Sequence, residues 1–308
     1  MGRGVPKDVT TGASRIPATR RGVGPSCVGL PAGHWATITD FLVERFPDVS
    51  RAVWLQRMAG QLVVDEFGEL VTPERPYPSH MRIYYYRAIE SEPRIPFDEV
   101  IIYQDAHLVV ADKPHFLPVT PSGHYLQETL LVRLKQRLGL DTLIPIHRID
   151  RETAGLVMFS VQPNERNAYQ AMFRQRTVSK SYEAIAPTRA DLTFPITRKS
   201  RIVEDELFFR QREIQGPPNS ESRFDVLEAL GEHTRYALSP VTGKKHQLRV
   251  HMYALGIPIL NDRMYPPVPE ATPDDFAKPL QLLARSIAFT DPVTGQPRQF
   301  ESQFRLHL

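Results

Sequence analysis

Cysteine is nearly missing from this chain of 308 residues: Cys27 stands alone, so no internal disulfide can form and no thiolate set exists for a structural zinc site. No apolar run approaches the roughly 18 residues that cross a membrane as a helix, and the N-terminus lacks the apolar stretch of a secretory signal. A cytoplasmic protein without a membrane is therefore expected. Dinucleotide and P-loop fingerprints are lacking too. What is present is an ordinary globular composition, 41% hydrophobic and 24% charged. The length suits one large domain plus a smaller one.

The net charge of +3 is unevenly placed. Residues 1–24 hold Arg3, Lys7, Arg15, Arg20 and Arg21 against Asp8, a local +4 that leaves the remainder near −1. This basic tail has no apolar periodicity and is expected to be disordered, either following a phosphate backbone or serving only as a solvated leader. If the folded part binds nucleic acid, its positive groups must be gathered on one face.

Residues 25–91 read as a small module. Ile38, Phe41, Leu42 and Phe46 recur at helical spacing up to Pro47, and Asp48-Val49-Ser50 offers a cap for a second helix through Val53, Trp54 and Met58. Strand-like runs follow at residues 61–64 and 81–86. This order, with Ser50-Arg51 opening the second helix, resembles an S4-type RNA-binding domain, although Val64-Asp65-Glu66-Phe67 replaces the glycine and asparagine usual at its hairpin turn. A structural appendage is the alternative. Residues 92–96, with two prolines, read as a linker.

Beyond it, residues 100–103 and 107–111 form an expected hairpin, followed by a proline-bearing loop over residues 112–123. Leu126, Leu130, Leu131, Leu134 and Leu138 line one face of a helix closed by Gly139. Pro163 is placed to start another helix, with Ala168, Met172 and Phe173 inward. A strand over residues 177–186 puts Lys180 and Tyr182 on the same face. Residues 187–222 are polar and irregular, two strands follow at 224–229 and 235–239, and a closing hairpin is expected with Phe300 beginning its last strand.

Chemistry concentrates in two further places. His147 to Leu156 is a charged run between apolar segments, in which Arg148 and Arg151 lie close enough in sequence to keep Asp150 ionised; a surface turn with a local ion pair is the alternative. Pro240 to Met252 makes a cationic turn feeding a helix, suited to a phosphate through Lys244, Lys245 and free backbone N–H groups. His246 and His251 share no helical face and lack a third ligand, so no metal site is expected.

Taken in order, these segments resemble the RluA family of RNA pseudouridine synthases over roughly residues 97–308. The motifs are Asp112-Lys113-Pro114 through Pro118-Val119, His147-Arg148-Ile149-Asp150 with Thr153 to Leu156, Lys180-Ser181-Tyr182, and Thr242 to His251 followed by Gly256 to Ile259 and Asp262. Departures are His115-Phe116 for a usual glycine-leucine pair, Ile149, Ala154, Leu283 for a histidine, and Asp291 for another. The resemblance implies an α+β (mixed α/β) catalytic fold on a largely antiparallel sheet, preceded by the S4-like module. It implies that a uridine in ribosomal RNA or transfer RNA is flipped out, detached at N1 and rejoined through C5.

By the same resemblance Asp150 is the essential carboxylate, Arg249 its partner, and Tyr182 the residue against the uracil ring and a candidate base. Arg148 is expected beside the flipped nucleotide, with Lys113, Lys180, Lys244, Lys245, His246, Gln247 and Leu248 contacting substrate or flanking phosphates. His147 is read as a structural hydrogen-bonding residue. No cofactor, metal or obligate protein partner is expected, and the chain is read as a monomer. Two rivals stand beside this reading: a silent RNA-binding protein or RNA chaperone of the same fold, and a glycosidic hydrolase, which lacks a clear second carboxylate.

Overall fold

The computed structural model describes residues 17–87, 92–207, 209–266 and 273–308. The chain divides into two compact units, Met1–Ser91 and Glu92–Leu308. In the first, β1 (Ser26–Gly29), α1 (Ile38–Arg45), α2 (Arg51–Ala59), β2 (Val63–Asp65) and β3 (Arg82–Tyr85) follow in order, and the strands form an antiparallel sheet β1-β3-β2. Thr37 and Asp40 cap α1 reciprocally, and Ser50 caps α2, so each helix starts where its side chains satisfy orphan N–H groups. Ile38, Leu42, Trp54, Val63 and Ile83 are fully buried between them.

Two boundaries expected from the sequence move. Residues 1–16 of the basic tail lie outside the described residues, but residues 17–24 are not loose: Arg20 donates to the Gln61 carbonyl at 3.0 Å, Tyr86 O–H donates to the Ala18 carbonyl, and Val23 is buried. Residues 92–96 are not a linker. Ile95 is buried in the core of the large unit, and the Glu92 carboxylate accepts the N–H groups of Leu126, Gln127 and Glu128 at 2.7 to 2.9 Å. Composition marked these stretches as irregular; backbone pairing and one buried isoleucine attach them.

The large unit runs β4 (Val100–Gln104), β5 (Leu108–Lys113), α3 (Leu130–Leu138), β6 (Ile144–Pro145), β7 (Ala154–Ser160), α4 (Arg166–Gln175), β8 (Ser179–Pro187), β9 (Ile196–Glu204), β10 (Gln211–Ile214), β11 (Ser220–Leu230), β12 (His233–Pro240), α5 (Gln247–Ala254), β13 (Leu282–Thr290) and β14 (Pro297–Glu301). Its strands make one sheet in the order β10-β9-β11-β12-β8-β13-β7-β5-β4, with β14 on β13 and β6 on β7. Every pairing is antiparallel except β7 with β13. The predicted class is the observed one.

Both faces of the sheet are covered, which explains why β5 and β7 read as continuous apolar runs. Val109, Ala111, Val157 and Phe159 pack on Leu130 and Leu134 of α3, while Leu108, Val110, Leu156 and Met158 pack with Tyr169 and Met172 of α4. Farther along, Ala184, Ala186, Tyr236 and Leu238 meet Leu248 and Met252 of α5. Several expected bounds shift for local reasons. α3 starts at Leu130 because Thr129 caps it by accepting the Val132 N–H, which leaves Leu126 ahead of the helix. α4 starts at Arg166, not Pro163, and Phe300 lies near the end of β14 rather than at its start. The stretch 187–222 contains β9 and β10, joined by the Arg198–Glu213 ion pair, and the Asn219 amide just beyond them bonds the Ile202 backbone N–H and carbonyl, so polar contacts rather than an apolar face hold these strands.

Candidate active site

Asp150 lies between β6 and β7, on a segment whose backbone is pinned from several sides. Thr153 N–H donates to the Asp150 carbonyl at 3.2 Å, Lys113 Nζ donates to the Arg151 carbonyl at 2.9 Å, and His115 Nδ1 meets the Glu152 carbonyl at 2.6 Å. The Arg151 guanidinium forms a bidentate pair with Asp274 at 2.7 and 2.8 Å and also reaches Glu152. Arg151 is thus occupied elsewhere rather than neutralising Asp150, a correction to the local sequence reading. Gly155 fixes the exit from this segment: its φ is +111°, and a Cβ there would stand 2.3 Å from the Ala284 carbonyl oxygen, where β7 and β13 run parallel.

The Asp150 carboxylate is 23% exposed, with Oδ2 3.3 Å from Arg249 Nη1 and Oδ1 3.9 Å from His246 Nε2. Arg249 itself is 1% exposed, and its fork is given to Asp262 instead, Nε to Oδ2 at 2.8 Å and Nη2 to Oδ1 at 2.7 Å. The expected pairing of Asp150 with Arg249 exists, but as the weaker, edge-on contact. Glu152 stands 3.8 Å from the same guanidinium. Burial works against the Arg249 charge, yet hydrogen bonding and the charges of Asp262, Asp150 and Glu152 raise its pKa. The result is a fixed positive charge behind a carboxylate that keeps one face toward the cleft.

That cleft has a volume of about 1140 Å³, and its lining includes Arg148, Asp150, Tyr182, Lys244, Lys245 and Arg249. Tyr182 sits mid-strand on β8, between Leu238 of β12 and Ala284 of β13, with Lys180 two residues away on the same face, as alternation required. Burial, then the charge of Asp150, pushes the Tyr182 hydroxyl pKa up, so it stays protonated near neutrality. A hydroxyl in that state can take up a proton only as it passes its own on. Burial lowers the pKa of Lys180. Arg148, Lys244 and Lys245 are exposed on the rim, and Arg176, at the left-handed end of α4, joins them there.

Two expected contacts are placed differently. Lys113 is fully buried and donates to the Pro114 and Arg151 carbonyls, so it supports the Asp150 segment from beneath and does not meet a phosphate. Burial brings its pKa down to about 7, against the opposing pull of Glu152 and Asp150. Gln247 is also buried: its side-chain oxygen accepts from Thr242 O–H and Lys244 N–H, and its amide donates to the Glu221 carbonyl and Ser222. The Lys244 amide is consequently not free to cradle an anion, and the turn offers its lysine side chains instead. His246 lines the cleft from the position just before α5, at φ +55°, its Nδ1 bonded to the Tyr265 hydroxyl at 3.0 Å, and burial lowers its pKa.

His147 behaves as read from the sequence. Its Nε2 accepts the Met158 N–H at 3.2 Å, its ring stacks on Phe173 at 4.7 Å, and burial lowers its pKa to about 3. His251 is buried among Ser200, Ser220 and Ser222, and no group of possible metal ligands occurs among the described residues. Asp262 stood in the third motif without a role, and the role of Asp274 was not visible in sequence, because it lies 123 positions from its arginine partner in a proline-rich stretch that gives no periodic signal.

The chain is similar to known proteins over the unit that carries this site. The profile of the RNA pseudouridylate synthase family matches residues 107–254. The chain is 30% identical over 232 residues to an uncharacterized RNA pseudouridine synthase of Synechocystis sp., covering 74% of this chain and 79% of that one. It is 34% identical over 206 residues to the dual-specificity RNA pseudouridine synthase RluA of Haemophilus influenzae, covering 66% of this chain and 92% of that one. The solved structure of human RNA pseudouridylate synthase domain containing 1 has the same fold, with a TM-score of 0.56 at 20% identity over 70% of this chain and 86% of that one. No helix among the described residues is long and apolar enough to cross a membrane. The chain belongs to the RluA family of RNA pseudouridine synthases, isomerases that convert uridine in RNA to pseudouridine.

Proposed function

We propose that the substrate is a specific uridine of a structured ribosomal or transfer RNA, flipped into the cleft so that its sugar and base lie against Asp150 and Tyr182. The observation that carries this reading is the Asp150 carboxylate: partly open to the cleft, held on a pinned backbone, and backed by the buried Arg249–Asp262 pair. In the reaction the N1–C1′ bond breaks, the C5–C1′ bond forms, C5 loses a proton and N1 gains one. No net oxidation occurs. Asp150 acts as nucleophile or as stabiliser of charge on the sugar, and the protonated Tyr182 hydroxyl relays a proton beside the ring.

Arg148, exposed at the rim next to Asp150, is suited to fill the gap left by the flipped base, which recovers part of a cost of a few kcal/mol. Lys244 and Lys245 are placed for flanking phosphates. The first unit has the helix, helix, strand, strand order of an S4-like RNA-binding module, extended by β1, and is proposed to add RNA contact. A monomer acting in the cytoplasm completes the reading.

The test maps pseudouridines in total RNA from cells with the native protein, without it, and with Asp150→Ala. Loss of one or a few sites in the last two refutes the rival of a silent RNA-binding protein. Unchanged pseudouridine together with retained RNA binding by Asp150→Ala refutes the enzyme reading, and free uracil from the native protein marks a hydrolase.

A further inference from the structure

One aromatic ring in the cleft has no part in the chemistry above. Phe209 follows β9 and precedes β10; it is 51% exposed, yet it lines the same cleft as Asp150 and Tyr182. Among the described residues the cleft's other phenylalanine, Phe173, is covered by the stacked ring of His147. Phe209 presents a large apolar face to a site whose rim carries the cations Arg148, Arg176, Lys244 and Lys245.

The residues that follow it are held in place. Arg210 N–H donates to the Leu207 carbonyl at 2.8 Å, and Gln211 N–H donates to the Tyr265 hydroxyl at 2.8 Å. The same hydroxyl meets His246 Nδ1 at 3.0 Å, and His246 Nε2 stands 3.9 Å from Asp150. The start of β10 is thereby tied to the turn that carries Lys244 and Lys245. A flat π-face that lines the same cleft as two ammonium groups matches an unpaired nucleobase and its phosphates, since base–aromatic stacking is the usual way a protein holds single-stranded RNA. Tyr182 and Asp150 already account for the target uridine.

We propose that Phe209 is a stacking platform for an unpaired base flanking the target uridine, and so a specificity-determining residue of the synthase. The proposal rests on the synthase reading of the cleft. Stacking does not require one base identity, so Phe209 selects for an unstacked neighbour, that is for a loop or bulge, rather than for a sequence.

The experiment uses the full chain and a synthetic RNA stem-loop spanning a uridine mapped as its target. Phe209→Ala and Phe209→Leu are expected to raise KM about tenfold, with a much smaller effect on kcat, while Phe209→Trp stays close to the native enzyme. An abasic residue at one flanking position should raise the native KM by a similar factor and add nothing to Phe209→Ala. Thermal melting of the variants should match the native protein, because the ring is exposed. The proposal is overturned if Leu serves as well as Phe, if the loss falls on kcat, or if no abasic position cancels the effect of Phe209→Ala. A native enzyme that leaves the mapped uridine unconverted sinks the synthase reading itself, a result distinct from any pattern among the variants.

Discussion

Asp262→Asn separates the support of Arg249 from the chemistry of Asp150. Asp262 is fully buried; its Oδ1 accepts from Arg249 Nη2, Met264 N–H and Tyr265 N–H, and its Oδ2 accepts from Arg249 Nε. Asparagine can keep the three bonds to Oδ1, but its NH2 then faces the Nε–H donor. The variant loses the charge opposite a guanidinium that is 1% exposed. Breaking one side of a buried pair typically costs about 3–5 kcal/mol. Asp150 and Glu152, 3.3 and 3.8 Å from Nη1, offset part of this loss, so the lower end is expected. For a domain of this size about 3 kcal/mol corresponds to a fall of roughly 6–12 °C in Tm. Asp150→Asn removes only the 3.3 Å contact of a carboxylate that keeps some solvent, and Arg249 retains both bonds to Asp262. Its cost should be below about 1 kcal/mol, with pseudouridine formation abolished. Calorimetry and urea unfolding of both variants decide the matter. If Asp262→Asn is no less stable than Asp150→Asn, the reasoning that Arg249 is anchored from behind is wrong.

Other outcomes follow from the same geometry. Gly155→Ala places a Cβ 2.3 Å from the Ala284 carbonyl oxygen at φ +111°, so β7 and β13 must separate; a loss of about 3 kcal/mol or more by urea unfolding is expected, together with lost activity. Stability should fall in mild acid. Burial holds the pKa of His147 near about 3 and those of His115 and His251 near about 4, all below the usual 6.5. Between about pH 4 and 6.5 the unfolded chain therefore binds protons at these histidines and the folded chain does not, so stability present above pH 6.5 is lost as pH falls, at roughly 1.4 kcal/mol per pH unit for each histidine. Urea midpoints that do not move from pH 7 to 5 contradict this. Tyr182→Phe should leave RNA affinity close to native while lowering kcat by about 10²-fold or more, as for removal of a proton-transfer group; a native kcat would show that only the ring is used.

Much of the large unit was legible in sequence because local rules act there without competition. Gly139 marks the end of α3, the hairpin β4–β5 follows from two apolar runs around a polar turn, and alternation put Lys180 and Tyr182 on one face of β8. β9 and β10 were hidden, since the Arg198–Glu213 ion pair between them and the Asn219 amide on the Ile202 backbone hold them rather than an apolar face. Lys113 was misjudged for a related reason. A lysine after a strand reads as a surface cation, and only two carbonyls meeting its ammonium group, from Pro114 next door and Arg151 across the sheet, make burial tolerable.

The sequence alone determined the family, through Asp150, Tyr182 and Arg249 in their motifs, and with it the class of reaction. Tertiary structure decided how those residues are supported. It gave Arg249 to Asp262, Arg151 to Asp274 and the Asp150 backbone to Lys113 and His115, and it brought Phe209 to the cleft wall. Periodicity and capping report what a residue does within a few neighbours. A charge 123 positions away in the chain, as Asp274 is from Arg151, becomes a partner only when the sheet has closed the distance.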